Sequence, residues 1–161
     1  MAHSAIAMSR DTSGWRGEEH ELNEIEDLDS LTDEFREGVG TTVVIFVEED
    51  DEWLGIVRIE GDDDPQVFLS DRRSLETSDL ANRIFSDALP VLPPPGAEDD
   101  DDTPRPQAEA VGDTDLLSDL GTSGDVLLEL CAQEGLLPGD VVSALCERAG
   151  CLHVHDEIRV A

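Results

Sequence analysis

The residue types best suited to chemistry in this chain cluster near its end. Cys146, Cys151, His153 and His155 are all of zinc-ligand type. If residues 151–155 are extended, Cys151, His153 and His155 share one face, but Cys151 and His155 lie too far apart to share an ion unless the chain bends. Cys146 falls on the apolar side of a predicted helix, which is typical of a buried thiol. We therefore expect a buried Cys146 and a solvated tail, with a metal-binding protein as the alternative.

His155, Asp156 and Glu157 match the H-x-E half of a zinc nucleoside deaminase site. That chemistry needs two further thiolates from a downstream P-C-x-x-C motif to hold the ion that activates water. No such motif follows in this sequence. We expect the match to be coincidental.

Carboxylates are abundant, but the sequence places many of them in turns. Asp50, Asp51 and residues 62–64 lie in predicted turns, whereas a general acid needs a pKa raised by burial. The spacing of residues 62–64 also lacks the alternating ligands and bidentate Glu of a calcium loop. We therefore predict no catalytic residue and no cofactor. A hydrolase is a further alternative, which requires a concave site with a buried, pKa-shifted Asp or Glu.

Three residues are candidates for contact with a partner. Trp53 begins a predicted strand beside an acidic turn, and Trp and Arg are the residues most often found at interface hot spots. Strand tryptophans are more often part of a core. Arg72 and Arg73 follow Ser70 and Asp71, and we expect this segment to cap the next helix, with partner contact as the alternative.

The charge balance restricts the class of partner. The chain has 40 acidic residues and 10 basic ones, all of which are Arg, for a formal net charge of -30. Affinity for nucleic acid depends on the release of counterions to Lys and Arg, so this charge argues against direct binding of DNA or RNA. The same charge would attract a basic protein. The alternative is that the acidic residues only form a solvated surface.

The compartment follows from cysteine usage and hydropathy. An odd number of cysteines, 3, without a secretory signal indicates a reducing environment. No stretch approaches the roughly 18 apolar residues of a membrane span. We expect a cytoplasmic protein that does not enter membranes.

The elements that position these residues centre on residues 41–70. Three apolar runs, at 43–47, 53–59 and 66–69, are rich in β-branched and aromatic residues and are separated by acidic turns, which predicts an antiparallel meander. The first run is apolar throughout, as in a strand covered on both faces. At the end of the second run, Arg58 and Glu60 alternate with apolar residues, as on a half-exposed strand.

The segments around this meander predict an α+β domain over residues 1–90. Residues 4–10 and 15–21 flank a turn at 11–14 and predict a hairpin. An apolar stripe then predicts a helix, with Ser30 and Asp33 as its capping box, and a second helix follows Arg73 and ends at Pro90. The stripe consists of Leu22, Ile25, Leu28, Leu31 and Phe35. The predicted order is ββαβββα, with about five antiparallel strands covered by helices on one face.

The rest of the chain predicts a linker and a small helical domain. Residues 91–112 are acidic and proline-rich, so we expect a disordered linker. Within residues 113–150 we predict three helices, over 113–120, over 126–134 with Thr122 as its cap, and over 141–149. We predict a tail or short strand for residues 151–161. A helical unit of about forty residues is marginal alone. It should therefore lean on the sheet domain, a partner or a second copy of the chain, which makes a homo-oligomer one expectation.

Three segments resemble a bacterial family of tRNA adenosine deaminase-associated proteins. These are DLDSL at 27–31, VFLSDRRS at 67–74 and GDTDLLSDLGTSGDVLLELCAQEGLLPGDVV at 112–142. The resemblance covers nearly the whole chain apart from the acidic linker and does not include CLHVHDEIRVA at the end. It implies association with the enzyme that converts adenosine to inosine in tRNA anticodons, and it carries no catalytic or binding residues.

Charge and resemblance together lead to one functional hypothesis. A chain this acidic should not hold tRNA, but it could approach a deaminase whose RNA-binding surface is basic. We expect a non-enzymatic accessory protein that acts through protein contacts, as a regulator of the deaminase or a competitor of tRNA.

Overall fold

A six-stranded antiparallel sheet lies at the centre of the computed structural model, which describes residues 3–12, 14–20, 26–35, 41–49, 53–61, 65–71, 74–86, 110–132 and 137–160. The strands are β1 His3–Asp11, β2 Gly14–His20, β3 Thr42–Glu49, β4 Trp53–Glu60, β5 Gln66–Leu69 and β6 Val111–Gly112, in the spatial order β2-β1-β3-β4-β5-β6. The predicted α+β class, hairpin and meander are confirmed. The last strand was not predicted, because its two residues fall in the segment expected to be linker.

Helices cover both faces of this sheet. They are α1 Leu28–Phe35, α2 Ser74–Thr77, α3 Asp79–Phe85, α4 Gly124–Ala132, α5 Pro138–Ala149 and α6 Leu152–Val160, with a 3-10 helix at Ser118–Leu120. The prediction of helices on one face holds for α1, α2 and α3, and the helices after residue 112 cover the other face. In the part of the chain that the structure describes, none of these helices is long and apolar enough to cross a bilayer.

The first face of the sheet, covered by α1, α2 and α3, carries the odd-numbered side chains of β3 and β4. Val43, Ile45 and Val47 pack there with Phe35 and Ile84. Other buried members of the same cluster are Ala5, Ala7, Leu31, Trp53, Val57, Ile59, Val67, Leu69, Leu80, Ala81 and Phe85.

The second face is covered by the C-terminal segment. Val44 and Phe46 of β3 share a buried cluster with Leu120, Val142 and Leu145. Alternate side chains of a strand point to opposite faces, so burial of every residue from Val43 to Val47 requires a layer on each side. The helices after the linker supply the second layer, although the division of the chain into domains stays a prediction.

The first helices begin at caps other than those expected. Ser30 N donates to Asp27 Oδ1 at 2.8 Å, so Asp27 is the cap and α1 begins before the predicted capping box. After Arg73 the predicted single helix is divided into α2 and α3 by Ser78, which is extended and whose Oγ accepts from Ala81 N at 3.1 Å. Leu22, Ile25 and Pro90 lie outside the described residues.

The C-terminal segment also differs from its prediction. Only Ser118–Leu120 is helical within the helix predicted for residues 113–120, and α4 is capped by Ser123, which accepts from Val126 N at 3.3 Å. Gly150 ends α5 with a φ of 88°, and Cys151 N donates to Cys146 O at 2.8 Å, which reverses the chain as in a Schellman motif.

Residues 152–160 form α6, so the predicted tail or short strand is wrong. The alternation read at residues 151–155 is also compatible with a helix, because Cys151, Val154 and His155 are spaced to share one helix face. All three side chains are buried.

Candidate protein-binding site

The structure separates the cysteine and histidine candidates. Cys146, Cys151 and His155 are buried, whereas His153 is exposed on the other side of α6. Within the described ranges, no group of three His, Cys, Asp or Glu side chains could hold a metal ion. Asp156 and Glu157 are exposed while His155 is buried, so the H-x-E match does not correspond to a site either.

Two of the three thiols, those of Cys131 and Cys146, are held in their protonated form by their surroundings. A hydrogen bond with Cys151, together with burial, raises the pKa of the Cys146 thiol. Burial raises the pKa of Cys131 to about 11. Because the thiolate is the form that reacts and binds metals, these two side chains are packing groups at neutral pH.

Trp53 lies in the core of the first face. Its side chain is 2% exposed, and its ring meets that of Phe85 edge-on at 6.1 Å between centroids. The indole Nε1 donates to Glu49 Oε1 at 3.3 Å. Trp53 is therefore a core residue, the more common of the two alternatives given for it, and Arg72 and Arg73 lie outside the described residues.

Glu49 is a buried carboxylate that the sequence did not single out. It is 5% exposed, and besides the Trp53 indole it accepts a hydrogen bond from Ser78 Oγ at 2.6 Å. Ser78 in turn caps α3. Glu49 thus joins the end of β3 to the start of a helix within the core, which is a structural arrangement and not the concave site that a hydrolase requires.

An open groove on the first face, beside β2, is the site that the sequence did not predict. It is open to solvent and has a volume of about 500 Å³. Its lining comes from β1, β2, β3 and α1, and consists of Ala7, Ser9, Arg16, Gly17, Glu18, Glu34, Phe35 and Val43.

The hairpin register explains how this groove forms. Ala7 pairs with Glu18 and Ser9 with Arg16, and directly opposed residues of antiparallel strands point to the same face. The two small β1 side chains make a low floor, while the longer β2 side chains rise along the outer side. Glu34 of α1 lies on the inner side. The short turn between β1 and β2 fixes this register. The sequence therefore contained enough information to pair Ala7 with Glu18 and Ser9 with Arg16, although it did not show that the pairs line a groove.

The rim of the groove is predominantly acidic. Glu18 and Glu34 line the groove and are exposed, and Asp33, next to Glu34, is exposed as well. The Arg16 guanidinium lies 3.2 Å from Asp11 Oδ2. The site can therefore attract a cationic group, and its open shape suits a peptide segment or protein surface.

β2 forms the outer edge of the sheet among the strands that the structure describes. β2 is the outermost strand and pairs with β1 on its inner side, and no other strand in the described part of the chain pairs with β2. α6 lies against β2, and Trp15 of β2 shares a buried cluster with Val154 of α6. Groove, acidic rim and strand edge thus lie side by side.

Comparison with known protein families identifies the family of this chain. A family model described as Rv3753c-like tRNA adenosine deaminase-associated protein matches residues 3–152. No curated protein and no solved structure matches the chain. The matched residues include every residue that lines the groove, whereas His153 and His155 lie beyond them.

Proposed function

Because the chain belongs to the Rv3753c-like family of tRNA adenosine deaminase-associated proteins, we propose that it is a non-catalytic accessory protein that binds such a deaminase through protein contacts. The family description supplies the association. The mode of binding and its consequence for the enzyme are our proposal, as is a location in the cytoplasm, where tRNA is modified.

The observation that carries the proposal is the net charge of -30. An enzyme that acts on tRNA must present Lys and Arg to the phosphate backbone. An acidic protein is electrostatically complementary to that surface and is repelled by tRNA itself. The acidic groove beside β2 provides a defined place for such contact.

This arrangement makes the protein a competitor of tRNA. If the same basic surface of the deaminase contacts both ligands, then each reduces the apparent affinity of the other. Binding of the chain would lower deamination at limiting tRNA, and excess tRNA would release the chain.

Co-purification of the chain with the deaminase of the same organism tests the proposal. We expect a complex at low salt that dissociates when tRNA is added. Absence of co-purification at low salt would contradict the association, and a complex that survives excess tRNA would contradict competition.

A matched pair of charge-reversal variants locates the contact. Glu18→Lys with Glu34→Lys reverses two charges at the groove, whereas Glu129→Lys with Glu147→Lys reverses two exposed charges on α4 and α5. Both variants change the net charge equally. We expect the first to abolish co-purification and the second to retain most of it, and equal losses would place the contact elsewhere.

A further inference from the structure

Two of the three cysteines lie at the ends of the reversal that joins α5 to α6. Gly150 ends α5 in the left-handed conformation. Cys151 N donates to Cys146 O at 2.8 Å, and Gly150 N donates to Glu147 O at 3.3 Å. These are the two hydrogen bonds of a complete Schellman motif, whose first and last residues commonly contact each other through their side chains. The fold therefore brings the side chains of Cys146 and Cys151 together.

The backbone hydrogen bond also limits the separation of the two cysteines. With the bond of 2.8 Å, standard backbone dimensions leave the Cα atoms of Cys146 and Cys151 at most about 6.7 Å apart. Disulfides join Cα atoms that are roughly 4.4–6.8 Å apart. The thiols also interact directly, because the Cys146 thiol donates a hydrogen bond to the Cys151 sulfur. The pair can therefore be bridged without a rearrangement of the backbone.

The pair lies beneath a thin layer of the surface. Cys146 and Cys151 are almost completely buried, but Glu147, Arg148 and Gly150 between them are exposed. Within the described part of the chain, no atom would lie within 4 Å of a Cβ atom placed on Gly150. The reversal thus borders open space, and a local opening of this one turn gives a small oxidant access to both sulfurs.

We propose that Cys146 and Cys151 form a reversible disulfide when the chain meets a hydroperoxide, which makes the junction of α5 and α6 a site of oxidative modification. In a reducing compartment such a disulfide is transient and reports oxidation. The site is independent of the proposed association with a deaminase, because both cysteines belong to the second face of the sheet and the groove lies on the first.

The reaction proceeds in two steps. The Cys151 thiolate attacks one oxygen of hydrogen peroxide, and the O–O bond breaks to leave a sulfenic acid on Cys151 and a hydroxide that takes up the thiol proton as water. The Cys146 sulfur then attacks the Cys151 sulfur, and the hydroxyl group leaves with the Cys146 proton as a second water. The two thiols lose two electrons and two protons, which reduce one peroxide to two waters.

The roles of the two cysteines follow from their hydrogen bond. Donation by Cys146 lowers the pKa of Cys151, and the thiolate is the form that attacks. Cys146 keeps its proton until the second step, in keeping with its raised pKa. Cys131 lies on α4, where burial alone raises the pKa of its thiol to about 11, so it serves as the control.

Peptide mapping of the purified full chain tests the proposal. Arg148 lies between Cys146 and Cys151, so trypsin places the two thiols in different peptides. After treatment with hydrogen peroxide and alkylation of the remaining thiols in denaturant, mass spectrometry should find these two peptides joined, and dithiothreitol should separate them. A Cys151 peptide that stays alkylated, or one that carries only sulfinic or sulfonic acid, would overturn the proposal.

Matched alanine variants identify the partner of Cys151. Cys131 lies in the same tryptic peptide as Cys146. Cys131→Ala should keep the joined peptides, whereas Cys146→Ala should lose them. The opposite pattern would assign the disulfide to Cys131, and a disulfide-linked dimer on a non-reducing gel would assign it to two copies of the chain; either result contradicts the inference.

Amide hydrogen exchange on the unaltered chain shows whether the disulfide fits the folded reversal. The amides of Gly150 and Cys151 both donate to Cys146 O, and a disulfide between the same two cysteines closes this loop covalently. Exchange at these two amides should slow by about tenfold after oxidation, while exchange in α4 should not change. Equal exchange in the reduced and oxidised chains would show that the disulfide forms only in an opened chain, and the inference would fail.

Discussion

At the scale of single residues, Arg58 is the feature that attaches the C-terminal segment to the sheet. Its side chain is 8% exposed and donates to Glu60, to both carboxylate oxygens of Asp119 and, at 2.5 Å, to Leu116 O. Glu60 also accepts a hydrogen bond from Thr42. One buried guanidinium therefore links β4 to the segment around the 3-10 helix.

Removal of this guanidinium should destabilise the fold. Arg58→Met leaves Leu116 O without its buried donor, and we expect a fall of about 2–3 kcal/mol in the free energy of unfolding. Asp119→Asn keeps Arg58 and removes a charge that is 62% exposed, so its cost should stay below about 1 kcal/mol. Urea unfolding monitored by tryptophan fluorescence measures both, and equal costs would contradict the role given to Leu116.

The same contact predicts a dependence of stability on pH. The hydrogen bond from Arg58 lowers the pKa of Asp119 below its usual value of 3.8. A depressed pKa contributes stability that is fully present above the unfolded-state value and is lost as the pH falls through the folded-state value. Asp119→Asn should therefore lose less stability than the unaltered chain as the pH falls below 3.8. If the free energy of unfolding of the two proteins falls equally in this range, the effect is contradicted.

Arg58 also explains why the sequence predicted a half-exposed strand where the structure has a buried one. Alternation with Val57 and Ile59 predicted a half-exposed strand, yet every residue from Trp53 to Ile59 is buried. The partners that satisfy the guanidinium, Leu116 and Asp119, lie far along the chain beyond a linker. The periodicity of β4 alone cannot predict burial by a segment that lies so far along the chain.

At the scale of elements, the contact between α3 and β4 depends on one glycine. A Cβ atom on Gly55 would lie 2.6 Å from Phe85 Cε2 and 3.2 Å from Trp53 Cζ3. The Phe85 ring therefore occupies the space that a side chain on β4 would fill. Both rings are almost completely buried, so neither can move aside without repacking the core.

A double-mutant cycle tests this contact. Gly55→Ala should lower the free energy of unfolding by about 1–3 kcal/mol through overpacking, and the cost should shrink when Phe85→Leu makes room. Denaturant unfolding of the two single variants and the double variant gives the coupling energy. Strictly additive costs would show that the ring and the glycine do not share this space.

The elements differ in how well the sequence predicted them. The hairpin and meander were predicted because their periodicity and turns are local. The helix α6 was missed because residues 151–155 satisfy the strand period as well as the helix period, and only the reversal at Gly150 and packing on the second face decide between them. The groove was missed for a related reason, since its lining requires the pairing of β1 with β2 and the placement of α1.

At the scale of the whole molecule, an apolar sheet covered on both sides carries a strongly acidic surface. The two buried clusters supply the folding free energy, which leaves the surface free to carry a net charge of -30. Such a charge accelerates association with basic proteins and makes it sensitive to salt. The family match and this charge support the same kind of partner.

Isothermal titration calorimetry with the purified chain tests the central claim most directly, with the deaminase and tRNA as separate ligands at low and high salt. The account predicts saturable binding to the deaminase that weakens as salt is added, and no binding to tRNA at either salt concentration. Salt-sensitive, saturable binding of the isolated chain to tRNA would contradict it, as would the absence of binding to the deaminase at low salt.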